Sequence, residues 1–148
     1  MTPAELLKFM REHRLAVQVS VSEEGRPQAA VVGIAVTDEF EIVFDTLSST
    51  RKAANLRHDS RVAFVIGGLN DGDERSVQYE GVADEPSGNE LERLKNRYYA
   101  VHPDGPSRLH WSGLVYIRAR PVWVRYSDYN LDPPEIVEFD AEGLNSQT

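Results

Sequence analysis

The chain has no cysteine, so disulfides, thiolate metal centres and a cysteine nucleophile are excluded. No stretch reaches the roughly 18 apolar residues of a membrane-spanning helix. The N-terminus also lacks the basic-then-apolar order of a secretory signal, so a cytoplasmic protein with no membrane partner is expected. Basic residues are the minority: 16 Lys and Arg against 24 Asp and Glu leave a net charge of −8. That balance favours solubility and argues against nucleic acid as a partner. A Gly-x-Ser-x-Gly elbow and a Gly-rich phosphate loop are both missing, and the run Gly67 to Asp73 is acidic enough to repel phosphate. Asn70 to Asp73 lacks the spacing and closing Glu of a calcium loop. His13, His58, His102 and His110 show no helical metal spacing, so no metal is expected and each reads as a surface or turn residue.

What is present fits one domain of 148 residues. Thr2-Pro3-Ala4-Glu5 opens a helix as a capping box with proline in its first turn, and Leu6, Leu7 and Met10 give it one apolar face. From Leu15 the period becomes two: Leu15, Val17, Val19 and Val21 point one way and Ala16, Gln18 and Ser20 the other, as in a half-buried strand. Strands follow at Gln28 to Val36 and Glu41 to Phe44, making an antiparallel meander. Arg61 to Ile66 is nearly continuous in apolar character, as in a strand covered on both faces. Ser76 to Asp84 alternates again, with Gly81 marking a bulge or a close backbone approach. Asn89 to Val101 is helical on the spacing of Leu91, Leu94, Tyr98 and Val101. Leu114 to Tyr126 is a long run in which Pro121 marks an edge or a bend. The fold expected is mainly β: a barrel of six or seven mostly antiparallel strands with two or three helices over residues 1–126. Residues 127–148 read as an acidic C-terminal tail, loose in a monomer, whose Ile136, Val137 and Phe139 offer a partner subunit something to hold.

The stretch with chemistry is Phe44 to Leu56, FDTLSSTRKAANL. It joins a strand to a short helix through four hydroxyls followed by Arg51 and Lys52. Hydroxyls, a helix N-terminus and two cations together suit an anion such as phosphate. The same residues also read as a turn capped by Thr50 with two solvated cations, and local chemistry leaves both readings open.

This loop and the order of elements resemble the flavin-binding split-barrel family, the pyridoxamine phosphate oxidase-like proteins. The family motif is a Thr after an aromatic-rich strand, then Ser-Arg-Lys, then an aliphatic residue four beyond the Lys; here those positions are Thr46, Thr50, Arg51, Lys52 and Leu56. Arg75 to Gly81 resembles the family strand that ends in Glu-Gly, and Trp111-Ser112-Gly113 leading to Pro121-Val122-Trp123 resembles its last strand. The resemblance spans roughly residues 4 to 126. It implies a homodimer with FMN at the subunit interface, Thr50, Arg51 and Lys52 on the flavin phosphate, and Thr46 along the ring system. It also offers Ser76 and Gln78 as polar groups on the later strand, and Trp111 as a cover for the ring, from the same or the other subunit.

The departures from the family are specific. The strand Gln28 to Val36 has no cation where phosphate oxidases place an Arg, Ser76 stands where they carry Gln, and the Arg-Leu-His-Asp-Arg segment that reads the substrate phosphate is missing from the end. Arg108-Leu109-His110 lies before the final strand, in the wrong place. A pyridoxamine phosphate oxidase proper is therefore not expected. The resemblance implies an FMN-dependent oxidoreductase acting on a small molecule, with a nicotinamide nucleotide or oxygen as the other reactant. Two alternatives remain. One is a reductase using a deazaflavin coenzyme, whose Lys-x-x-Asn-Leu-Arg-x-Asp run resembles Lys52 to Asp59; the other is a non-catalytic flavin or haem carrier or sensor.

Overall fold

The computed structural model describes residues 1–146. Its elements in chain order are α1 (Pro3–Arg11), β1 (Leu15–Val21), β2 (Pro27–Gly33), β3 (Ala35–Val36), β4 (Ile42–Leu47), α2 (Arg51–His58), β5 (Arg61–Gly67), β6 (Arg75–Asp84), α3 (Gly88–Val101), a 3-10 turn (Gly105–Arg108), β7 (Leu114–Asp128), β8 (Glu135–Asp140) and α4 (Ala141–Leu144). The strands form one curled antiparallel sheet ordered β2-β1-β5-β6-β7-β4-β3, with β8 added beside β7. The architecture is the mainly β split barrel read from the sequence, with one more strand and one more helix than the larger counts expected.

Local signals decide several boundaries. Thr2 Oγ1 accepts from the Glu5 amide and Glu5 Oε2 accepts from the Thr2 amide, completing the capping box of α1. At the β6/β7 pair the register shifts between Glu80 and Gly81, so that Trp123 lies opposite one and Pro121 opposite the other. Val122 is the extra residue of this bulge, and Pro121 sits where a missing N–H costs least. Gly81 is obligatory there, since a Cβ would lie 2.5 Å from the Arg120 carbonyl oxygen.

The interior holds Leu6, Met10, Phe44, Phe64, Ile66, Val77 and Tyr79, while α3 lays Leu94 and Tyr98 over the outer side of β4 and β7. Beside that helix lies a buried ionic network. Arg118 Nη1 reaches Glu41 at 3.2 Å and Glu90 at 3.3 Å, its Nη2 reaches Asp84 at 2.6 Å, and Glu41 also holds Arg93 at 2.9 Å.

Three expectations change. On β1 the side turned inward is Ala16, Gln18 and Ser20, while the apolar set faces out, with Leu15 61% exposed. The cause is α2, whose polar Asn55 sits over this strand and donates to Ser20 Oγ and Gln28 Oε1, both at 3.0 Å. Second, β5 is buried on one side only, through Val62, Phe64 and Ile66, and Val65 on its other side is exposed. Third, the tail is not loose: β8 pairs with β7 from Trp123↔Asp140 to Asp128↔Glu135, Val137 and Phe139 point toward their own chain, and Leu144 of α4 is buried. The last two residues of that tail lie outside the described residues.

Gln18 is fully buried, and among the described residues neither its Nε2 nor its Oε1 has a hydrogen-bond partner. A buried amide without partners costs about 1–3 kcal/mol, which an apolar residue of similar shape avoids. Gln18→Met is therefore expected to raise the urea midpoint at unchanged slope, by about 1 kcal/mol or more in stability. A lowered midpoint would show that the amide is satisfied in solution.

Candidate functional site: an anion loop and a polar stripe on an apolar face

The loop between β4 and α2 is built from the inside. Thr50 caps α2: its hydroxyl donates to the Leu47 carbonyl at 2.9 Å and accepts from the Ala53 amide at 3.4 Å. Thr46 lies 3.0 Å from the same oxygen, and since the Thr50 proton is directed to Leu47, Thr46 is the donor of that pair. Both threonine hydroxyls are therefore engaged in shaping the loop.

The groups left over are those an anion needs. Arg51 and Lys52 occupy the first two positions of the eight-residue α2, so their amides have no intrahelical acceptor. Among the described residues neither side chain has an ion pair or hydrogen bond, and the Ser48 and Ser49 hydroxyls are likewise without partners. Arg57, Arg61, Arg75, Arg93, Arg108 and Arg118, by contrast, all face carboxylates. The nearby Asp45 is held by Arg108 at 2.9 Å and by the Tyr98 hydroxyl at 3.2 Å, so its charge is answered away from the loop. Two cations, two free amides and two hydroxyls at one helix start form a donor set that fits a phosphate.

Trp111 belongs to the same neighbourhood within one chain. The Ser48 amide donates to the Gly113 carbonyl at 2.7 Å, joining the Trp111 turn to the loop. Gly113, with φ +78°, passes so close that a Cβ would meet Ser48 Oγ at 2.7 Å. The Trp111 ring is 48% exposed.

Ser76 and Gln78 lie elsewhere. Thr46 pairs with Val115 at the start of β7, whereas Ser76 pairs with Ser127 near its end, a strand path of roughly 40 Å. Gln78 points outward, with Val65 on one side and Arg125 on the other. The same outward side of β7 carries Trp123, opposite Glu80, and Arg125, whose Nε is buried without a partner. The sequence singles out Trp123 only within the last-strand resemblance and Arg125 not at all, because the bulge after Pro121 shifts the alternation that would place both on the outward side.

Around this stripe the outward face of the sheet is apolar. Val17, Val19 and Val21 of β1, Val31 of β2, Ala63 and Val65 of β5, Val82 of β6 and Val122 of β7 share it, with Val31 65% exposed, and the bulge leaves a groove of about 520 Å3 in it. Patches of this kind mark interaction surfaces.

The histidines do not gather, and among the described residues no cluster of His, Asp and Glu suits a metal. His102 departs from a surface reading: it is buried, stacks on Tyr98 at 4.6 Å and bonds the Ile34 carbonyl at 2.8 Å. No described helix is long and apolar enough to cross a membrane.

The fold is a split barrel whose β4–α2 loop presents, among the described residues, two unpaired cations at a helix start. The model of the pyridoxamine 5'-phosphate oxidase family matches residues 2–128, and the chain belongs to that family. Curated relatives are the pyridoxine/pyridoxamine 5'-phosphate oxidases of Burkholderia mallei and Burkholderia pseudomallei, 29% identical over 125 residues covering 78% of this chain. The match takes in only 56% of each relative, so the chain spans about half their length. Among solved structures, a heme binding protein from Mycobacterium smegmatis superposes with a TM-score of 0.83 at 19% identity, covering 97% of this chain and 60% of that one. A putative pyridoxamine 5'-phosphate oxidase from Listeria innocua gives 0.69 at 17% identity, covering 84% and 96%. At these identities the two structures bear on the fold alone.

Proposed function

We propose that the protein binds FMN between two copies of the chain and acts as an oxidoreductase on a small molecule. The observation that carries this reading is the donor set at the start of α2, where Arg51 and Lys52 stand without partners beside free amides. FMN would supply the redox chemistry, accepting or donating a hydride. Arg51 and Lys52 bind the phosphate, while Thr46 and Thr50 keep the loop in shape. Without a cation in β2, whose sequence is PQAAVVG, those two side chains provide the charge. Family membership supports the flavin.

A homodimer reconciles the two separated halves of the site. Ser76, Gln78, Trp123 and Arg125 lie too far along β7 to join Thr46 in their own chain, and they sit on the exposed apolar face. A second copy seated there brings one chain's stripe toward the other chain's loop and buries valines that water now meets. Val31→Glu is expected to convert the dimer to a monomer by light scattering and to weaken FMN together with it, since a charge on a buried apolar interface has no partner. A native chain that is monomeric at micromolar concentration overturns the shared site.

The deazaflavin and carrier readings receive less support. In the run Lys52 to Asp59, Asn55 is used by Ser20 and Gln28 and Asp59 by Arg61, so internal packing accounts for both. For haem, His13 and His102 are each bonded to a main-chain carbonyl. Reduction of bound flavin by a nicotinamide nucleotide in a stopped-flow experiment separates an enzyme from a carrier.

A further inference from the structure

We infer that the cleft between α3 and the open edge of β7 is a binding compartment for a planar, phosphate-free heteroaromatic molecule, with Trp111 as its stacking wall and Arg108 as the residue that positions that wall. β6 ends at Asp84, opposite Arg118, so the segment Leu114 to Ile117 has β4 on one side and no strand on the other. The bond from the Ser48 amide to the Gly113 carbonyl fixes the phase of this ladder. Gly113, Val115 and Ile117 turn their main-chain groups toward β4; the Leu114 N–H closes the turn on the Trp111 carbonyl at 3.4 Å, and by alternation the Leu114 carbonyl and both main-chain groups of Tyr116 turn to the open side. An N–H and a C=O side by side match a ring edge that offers an acceptor next to a donor, as a lactam or imide does.

The space beside that edge is a cleft of about 410 Å3, lined by Leu91, Lys95, Leu109, Trp111 and Tyr116 with Glu85 at its rim. That volume lies within the range of about 300–1,000 Å3 usual for small-molecule pockets. Little charge is left to hold a phosphate here: Glu85 is paired with Arg57 at 2.8 Å, and among the described residues the one cation lining the cleft, Lys95, leans on the Tyr116 ring at 5.6 Å and on Glu92 at 3.6 Å. Trp111 and Leu109 are both about half exposed, presenting an aromatic face and an aliphatic side chain to the occupant.

Arg108 holds the wall. Its Nε donates to Asp45 at 2.9 Å and its Nη1 to Asp104 at 2.8 Å, while its carbonyl accepts from the Trp111 amide at 2.9 Å. Asp45 immediately precedes Thr46, so the guanidinium ties the Trp111 turn to the strand that leads into the anion loop. This gives Arg108-Leu109-His110, out of place as a family motif, a use of its own. The assignment of the occupant as the second reactant rests on the flavin reading; the binding itself does not.

The probe is lumichrome, a tricycle with an imide edge and no phosphate. It is titrated into the chain labelled with 5-fluorotryptophan, with and without excess FMN, the two fluorine resonances being assigned through Trp111→Phe. The Trp111 resonance is expected to shift saturably in both titrations. Lumichrome affinity is expected to be unchanged in Lys52→Ala and to fall on the order of tenfold in Arg108→Gln and in Trp111→Ala, with far-ultraviolet circular dichroism retained. Trp111 lies on an exposed turn, so its variant keeps the test decisive if Arg108→Gln unfolds. A Trp111 resonance that lumichrome leaves in place, or that moves only without FMN, overturns the compartment. Native affinity in folded Arg108→Gln overturns the positioning role. Lumichrome binding without any FMN binding overturns the anion-loop reading and leaves the compartment standing.

Discussion

Arg118→Leu is expected to cost about 3–5 kcal/mol of folding stability, a large part of the total for a domain of this size. Arg118 is 3% exposed and its guanidinium serves three carboxylates, Glu41, Asp84 and Glu90. Of these, Glu41 is itself buried and keeps only Arg93 and the Thr37 hydroxyl once Arg118 is gone. An ion pair broken on one side leaves a charge that has paid its desolvation without its main counter-ion, which is why the loss exceeds that of a surface pair. The pH dependence follows from Asp84, whose carboxyl Arg118 holds below its ordinary value of 3.8, chiefly by hydrogen bonding. A depressed carboxylate stabilises the fold above that ordinary value, and the contribution is lost as pH falls through the lower folded value. The gap between native and variant urea midpoints is therefore expected to be full at neutral pH and to narrow below about pH 4. A gap under about 1 kcal/mol at neutral pH would mean that the network is no stronger than surface pairs.

The second large effect is on binding. The double variant Arg51→Ala, Lys52→Ala is expected to lose FMN affinity by about 100-fold or more, since two charge-assisted contacts go together and each is worth roughly 1.5–3 kcal/mol. Stability should stay within about 0.5 kcal/mol of native, because neither side chain has an ion pair or hydrogen bond among the described residues and Thr50 still caps α2. This separation distinguishes a binding site from a structural one. An FMN affinity within about threefold of native would remove both residues from the phosphate.

What the sequence revealed and what it concealed divide along physical lines. The capping box at Thr2, the cap at Thr50 and the close approach at Gly81 are local, each set by a few neighbouring residues, and each appears where its residues indicate. The buried side of β1 was concealed. Alternation reveals two sides but not which one is covered, and here α2 brings Asn55 to the polar side while the valines face out. The pairing of β8 with β7 was also concealed, because an acidic stretch with Pro133 and Pro134 carries little local signal and its partner strand decides its conformation. Within the candidate site, the run of hydroxyls and cations at the start of α2 was legible in the sequence. The separation of Ser76 and Gln78 from it was not, since that depends on which end of β7 each strand meets. The outward valines and the distant stripe are both accounted for by the proposed second copy of the chain.

If the start of α2 holds a flavin by its phosphate, as proposed, FMN and riboflavin must bind the native protein with very different affinities. The two ligands share ring and ribityl chain and differ in the phosphate alone. Fluorescence titration is expected to find FMN bound at least about 100-fold more tightly, with the difference nearly abolished in the double variant of Arg51 and Lys52. Equal affinities for the two ligands, or no binding of FMN, would contradict a flavin held by its phosphate at Arg51 and Lys52.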